Sequence, residues 1–89
     1  MKSRATPDFW SHYNRLPSSI QKSAKRAYAR FRQNPNHPSL RLKKVHTTQE
    51  IYSVRITEDY RALGVREDDA IVWFWIGSHE DYDRLLRDL

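Results

Sequence analysis

No cysteine occurs in this chain, so neither a disulfide nor a thiolate nucleophile figures in its stability or its chemistry. Glycine is almost as scarce. Only Gly64 and Gly77 are present, too few and too far apart for a glycine-rich loop that cradles a phosphate. Acid is nearly missing from the first half: residues 1–46 hold eleven Lys or Arg against the single acid Asp8, a balance of +10. Residues 47–89 hold five Arg against ten acids, a balance of −5. No apolar run approaches the roughly 20 residues that a membrane-spanning helix needs. The opening MKSRATPDF lacks the apolar centre of a secretory signal, so the expected compartment is the cytoplasm, with no membrane as partner.

What is present suits one small globular domain, residues 1–89, with 30% charged and 38% hydrophobic residues. Its core is limited, and packing on a partner would supply part of its stability. The basic half attracts polyanions through its long-range field. On charge alone, nucleic acid and acidic protein partners fit equally well.

The pattern of apolar residues predicts an α+β domain. Thr6-Pro7 reads as a helix start, Thr as cap and Pro at the first helical position, with Phe9, Tyr13 and Leu16 on one face. A second helix, capped by Ser18 or Ser19, carries Ile20, Ala24, Ala27, Tyr28 and Phe31 as one stripe and ends at Asn34-Pro35. From Leu40 the period becomes two. Leu40, Leu42 and Val45 suggest a short edge strand, followed by strands at Tyr52–Ile56, Tyr60–Arg66 and Ile71–Ile76. Trp73 and Trp75, two apart, are expected on one sheet face. Ser78 caps a last helix docked by Leu85, Leu86 and Leu89. The expected architecture is an N-terminal helical hairpin on a four-stranded antiparallel sheet with a C-terminal helix, the helices on one face.

Several residues could carry chemistry. Arg55 and Arg61 offer planar, permanently charged forks that match phosphate oxygens. A two-residue turn at Glu58-Asp59 would put Arg61 opposite Ile56, on the core face. Bringing both arginines to one face requires an odd-length loop or a bulge, with small Ala62 and Gly64 lying beneath the helices. An imidazole is the side chain suited to acid–base work near neutral pH, and His79 follows a Gly-Ser turn at the end of the strongest strand. Tyr82 shares its helix face at i+3. Glu50 is the carboxylate assigned as a general base, and Arg41, Lys43 and Lys44 form a basic cluster suited to an RNA backbone. Each also has a bland reading: arginines paired with surface acids, a first-turn histidine, a core tyrosine, a solvated edge. No histidine pair has metal-ligand spacing with a carboxylate, so neither a metal site nor a cofactor is expected.

These residues resemble the RelE/ParE superfamily of toxins from bacterial and archaeal toxin–antitoxin systems. The likeness spans FWSHYNRLPSSIQKSAKRAYARF, NPNHPSLRLKKV, YSVRITEDYRALG and IVWFWIGSHEDYDRLL, whose order and spacing carry it together. It implies a microbial-RNase-like fold and a cognate antitoxin as partner. In the RelE branch it implies ribosome-dependent, metal-independent cleavage of mRNA by attack of the 2′-hydroxyl, and so inhibition of translation. Arg61 matches the phosphate-binding arginine of the family and Arg55 a basic position on the preceding strand. His79 and Tyr82 fall where members place a catalytic histidine or arginine and an orienting tyrosine. Two features depart from the ribonuclease pattern: Ser53 stands where the RelE type has a lysine, and a helix continues past Tyr82. The alternatives are a non-enzymatic inhibitor of DNA gyrase, as in the ParE branch, and an inactive homologue that binds only its antitoxin.

Overall fold

A computed structural model describes all 89 residues. The element order is β1 (Lys2–Ala5), α1 (Pro7–Asn14), α2 (Ser18–Gln33), a 3₁₀ turn (Pro38–Leu40), β2 (Lys43–Lys44), β3 (Ile51–Thr57), β4 (Tyr60–Glu67), β5 (Ala70–Ser78) and α3 (His79–Asp88). The strands form one sheet in the order β1-β5-β4-β3-β2. The α+β class and the N-terminal pair of helices are as the sequence predicts, and no helix is long and apolar enough to cross a membrane.

Local signals place the helices. Thr6 caps α1, its hydroxyl accepting from the Phe9 amide at 3.1 Å, and Pro7 occupies the first helical position. The start of α2 differs from expectation. Its cap is Pro17, whose carbonyl accepts from the amides of Ile20 and Gln21, and the two serines lie inside the first turn. The helix buries Ala24, Ala27 and Phe31 and ends where Asn34 turns extended before Pro35. Ser78 caps α3 through the Asp81 amide at 3.2 Å.

The sheet has five strands rather than four. β1 was not expected, because Lys2–Ala5 is short and polar and its partner lies about seventy residues on. It pairs parallel to β5, Lys2 with Ala70 through Ala5 with Trp73, and Ser3 Oγ accepts from Trp73 Nε1 at 2.9 Å. The edge strand on the other side is shorter than expected. Only Lys43 and Lys44 pair with β3, and Leu40 is buried in the 3₁₀ turn.

The helices do not share one face, a second correction. On one side α1 and α2 cover Val54, Ala62, Ile71, Trp73 and Ile76, and Phe31 meets the Trp73 ring edge-on at 5.3 Å. On the other, α3 covers Ile51 and Leu63 with Tyr82, flanked by Val65, Trp75, Leu85 and Leu86. Trp73 and Trp75 are therefore parted. A register shift between the β4–β5 pairs Leu63–Trp75 and Gly64–Trp73 inserts Phe74 as an extra residue and turns the two indoles to opposite faces.

Ala62 and Gly64 lie toward α2, as the placement of the arginines requires. A Cβ on Gly64 would approach Ile71 Cγ1 and Trp73 Cε3 to 2.8 Å, so only glycine fits beneath that indole. Gly64→Ala should lower stability by about 1–3 kcal/mol, the usual cost of overpacking a core, measured as a fall in the urea midpoint. An unchanged midpoint would mean that Trp73 is not packed as described.

Candidate functional site

The site begins with a surplus residue. Between β3 and β4 the register runs from Arg55–Arg61 directly to Thr57–Tyr60, so Ile56 is bulged out of the pairing. The two arginines stand directly opposite each other, on the face away from α2. Across β4, Arg61 pairs with Gly77 of β5. A Cβ on Gly77 would lie 2.6 Å from Trp75 Cζ2, so the indole rests over that glycine and reaches the row containing Arg61.

The β3–β4 turn fixes two functional groups at once. Arg61 Nη1 donates to the carbonyls of Thr57, Glu58 and Tyr60 at 2.7, 3.1 and 3.0 Å. All three bonds use Nη1, which leaves the Nε and Nη2 edge for a ligand. The amide of His79 donates to the carbonyl of Asp59 in the same turn at 2.6 Å. His79 thus sits at the head of α3, stapled to the hairpin that carries the arginines. Its Nδ1 lies 3.1 Å from Asp83 Oδ2, and its ring meets Tyr82 edge-on at 5.6 Å.

Burial pushes the Arg61 guanidinium below its usual value, and repulsion from Arg55 adds to the fall. Arg41 acts in the same sense, while Tyr82 and Asp83 oppose it. A guanidinium begins so high that it stays charged. The consequence is a gathering of three like charges, Arg41, Arg55 and Arg61, none of which forms an ion pair; the ion pairs lie elsewhere, at Arg4–Glu67, Lys44–Glu50 and Arg84–Asp81. An anion bound across the row would relieve that repulsion.

Lys43 pairs with Ser53 and so shares the arginine face. Lys44 turns to the other side, opposite Tyr52, and its ammonium is 2.8 Å from Glu50. The hydrogen bond to Glu50 raises its basicity.

Glu50 requires a correction. It precedes β3 and lies five residues from Arg55, roughly 16 Å at about 3.3 Å per residue, with its carboxylate on Lys44. That separation leaves it no part beside His79. Tyr82 belongs to the site as a wall rather than as an open phenol. It is buried, lies tilted against Trp75 with ring centroids 6.5 Å apart, and donates its hydroxyl to buried Ser53 at 3.2 Å. Trp75 and Asp83 are the residues that sequence reasoning missed. The Phe74 bulge hid the first, and the second carries no signal beyond its i+4 spacing from His79. No three His, Cys, Asp or Glu side chains gather closely enough to hold a metal ion.

Residues 18–84 match the family model of the ParE-like toxin domain. Among solved structures, YafQ from E. coli strain BL21(DE3) superposes with a TM-score of 0.73 at 8% identity, covering 91% of this chain and 96% of its own. RelE in the RelB–RelE antitoxin–toxin complex from Methanococcus jannaschii gives 0.70 at 23% identity, with 91% and 96% covered. The YoeB/ParE toxin from Agrobacterium tumefaciens gives 0.68 at 15%, with 89% and 99% covered. At these identities the likeness is one of fold. No curated protein matches the chain by sequence.

The Ser53–Tyr82 bond can be tested by a double-mutant cycle. Ser53→Ala and Tyr82→Phe should each cost about 0.5–1.5 kcal/mol in urea unfolding, and the double variant should cost less than their sum. Strict additivity would mean that the two hydroxyls do not interact.

Proposed function

The chain belongs to the ParE-like toxin domain family, and on that premise we propose that it is the toxin of a toxin–antitoxin pair and an endoribonuclease acting in the cytoplasm on ribosome-bound mRNA. The observation that carries this reading is the unpaired arginine row. Arg55 and Arg61 face each other with no carboxylate between them, and one turn holds both Arg61 and His79.

In the proposed reaction Arg55 and Arg61 grip the scissile phosphate. They stabilise the extra negative charge that develops as the 2′-oxygen adds to phosphorus. His79 moves the proton, Tyr82 backs the site, and the products are a 2′,3′-cyclic phosphate and a 5′-hydroxyl. The cationic row supplies the charge that a metal would otherwise bring, so the scheme uses no metal and no cofactor. Arg41 and Lys43 extend the row as contacts to the RNA backbone, while Lys44 is occupied by Glu50. So few reacting groups leave much to positioning, which fits a substrate ordered by the ribosome. The partner in this reading is a cognate antitoxin, acidic where it meets the +10 half of the chain.

A second reading, a non-enzymatic gyrase inhibitor, is favoured by the ParE-like family match and by Ser53. A serine tied to Tyr82 stands where the ribonuclease type has a cation.

Expression should arrest growth and yield truncated mRNAs. Arg55→Ala breaks no side-chain hydrogen bond, so it should keep the fold while slowing cleavage on translating ribosomes by about 10²–10³-fold. Cleavage at the parental rate sinks the ribonuclease reading. Loss of DNA supercoiling with intact mRNA would support the gyrase one.

A further inference from the structure

We infer that Asp83 is a positioning residue for this site: it fixes the tautomer of His79 so that Nε2 is bare and accepts the proton of the attacking 2′-hydroxyl. The inference rests on the ribonuclease reading and deepens it by assigning His79 the role of base.

The geometry gives the imidazole little choice. His79 Nδ1 lies 3.1 Å from Asp83 Oδ2, and an ionised carboxylate only accepts hydrogen bonds. Nδ1 must then carry the hydrogen, and in the neutral ring Nε2 is left as the acceptor. The rest of the ring is held as well. Its backbone amide is fixed on Asp59 and its edge rests on Tyr82, whose hydroxyl is anchored on Ser53. Only Nε2 has no protein partner.

An i,i+4 pair on an exposed helix face ordinarily contributes little to stability and says nothing about function. This pair differs in where it sits. Of the acids flanking His79 on this helix, Asp81 is taken up by Arg84 and Glu80 makes no ion pair, whereas Asp83 is the carboxylate in contact with the imidazole. Asp83 is also close enough to Arg61 to oppose the fall in its basicity, which places the pair beside the arginine row. The charges that act on Arg61 beside this pair are those of Arg55 on β3 and Arg41 before β2, with Asp83 as the opposing acid. A carboxylate behind the ring offsets that field when the imidazole takes up a proton, as the acid does in a hydrolase triad.

The step balances as follows. Nε2 takes the 2′-hydroxyl proton, the O2′–P bond forms and the P–O5′ bond breaks. The departing 5′-oxygen takes a proton from solvent water, and the imidazolium returns its own to the hydroxide left behind.

The test has two readouts. In the ¹⁵N spectrum of the parent protein, recorded at a pH where the His79 signals no longer move with added base, His79 should show a protonated Nδ1 and a bare Nε2. In Asp83→Asn the amide nitrogen should donate to Nδ1 and move the proton to Nε2. Cleavage by Asp83→Asn and Asp83→Ala on translating ribosomes should fall roughly tenfold to a hundredfold in kcat, with KM within about twofold of the parent. An Nε2–H tautomer in the parent overturns the inference whatever the variants do. So does parental kcat in both Asp83 variants when His79→Ala is inactive. If His79→Ala itself cleaves as fast as the parent, the ribonuclease reading has lost its base and this inference falls with it.

Discussion

The extra residue in β3 governs the rest of this molecule. Strand side chains alternate with a period of two, so one surplus position exchanges the faces of everything beyond it. With Ile56 bulged, Arg55 and Arg61 pair on the face away from α2. Without it, Arg61 would point among Ala24, Ala27 and Phe31, where an unpaired guanidinium would be desolvated at a cost of several kcal/mol. The same hairpin turn then fixes Arg61 through three carbonyls and His79 through one. A single irregularity therefore sets the face, the spacing and the rigidity of the cationic row.

The two faces of the sheet divide the work. Beneath α1 and α2 the buried cluster is apolar, and at position 64 it is tight enough to exclude a Cβ. Under α3 the packing is graded. Ile51, Leu63 and Tyr82 form a small core, the Ser53–Tyr82 bond marks its upper limit, and the Arg55–Arg61–Gly77 row lies beyond it. A lysine at position 53 would lose that bond and would carry its charge under Tyr82. The substitution of serine for a cation and the burial of the tyrosine are thus two aspects of one arrangement, which leaves charge stabilisation to the arginines.

Much of this was legible in the sequence. The Thr6-Pro7 and Ser78 caps, the apolar stripe of α2 and the period-two strands are local signals, and they place their elements within a residue or two. The need for an irregularity was legible for a different reason, since two arginines intended for one ligand must share a face; the structure meets it with the Ile56 bulge beside a two-residue turn rather than with an odd loop. Local patterning failed where the cause lies far along the chain. β1 is four mostly polar residues ordered by a partner about seventy positions away, and the Phe74 bulge that parts Trp73 from Trp75 depends on the register of β4 against β5. Glu50 failed because position along a strand is invisible to residue type. A carboxylate five residues from Arg55 is a promising neighbour in sequence and a distant one in an extended chain.

The most direct measurement titrates ¹⁵N-labelled protein with a short oligoribonucleotide carrying a 2′-methoxy group at the scissile position, so that it binds without being cut. If the bulged register makes the anion site, the side-chain Nε resonances of Arg55 and Arg61 shift together and saturate at one ligand concentration, with Arg41 following. Shifts confined to the basic face of α2, at Lys22, Lys25, Arg26 and Arg30, with Arg55 and Arg61 unmoved, would contradict the account.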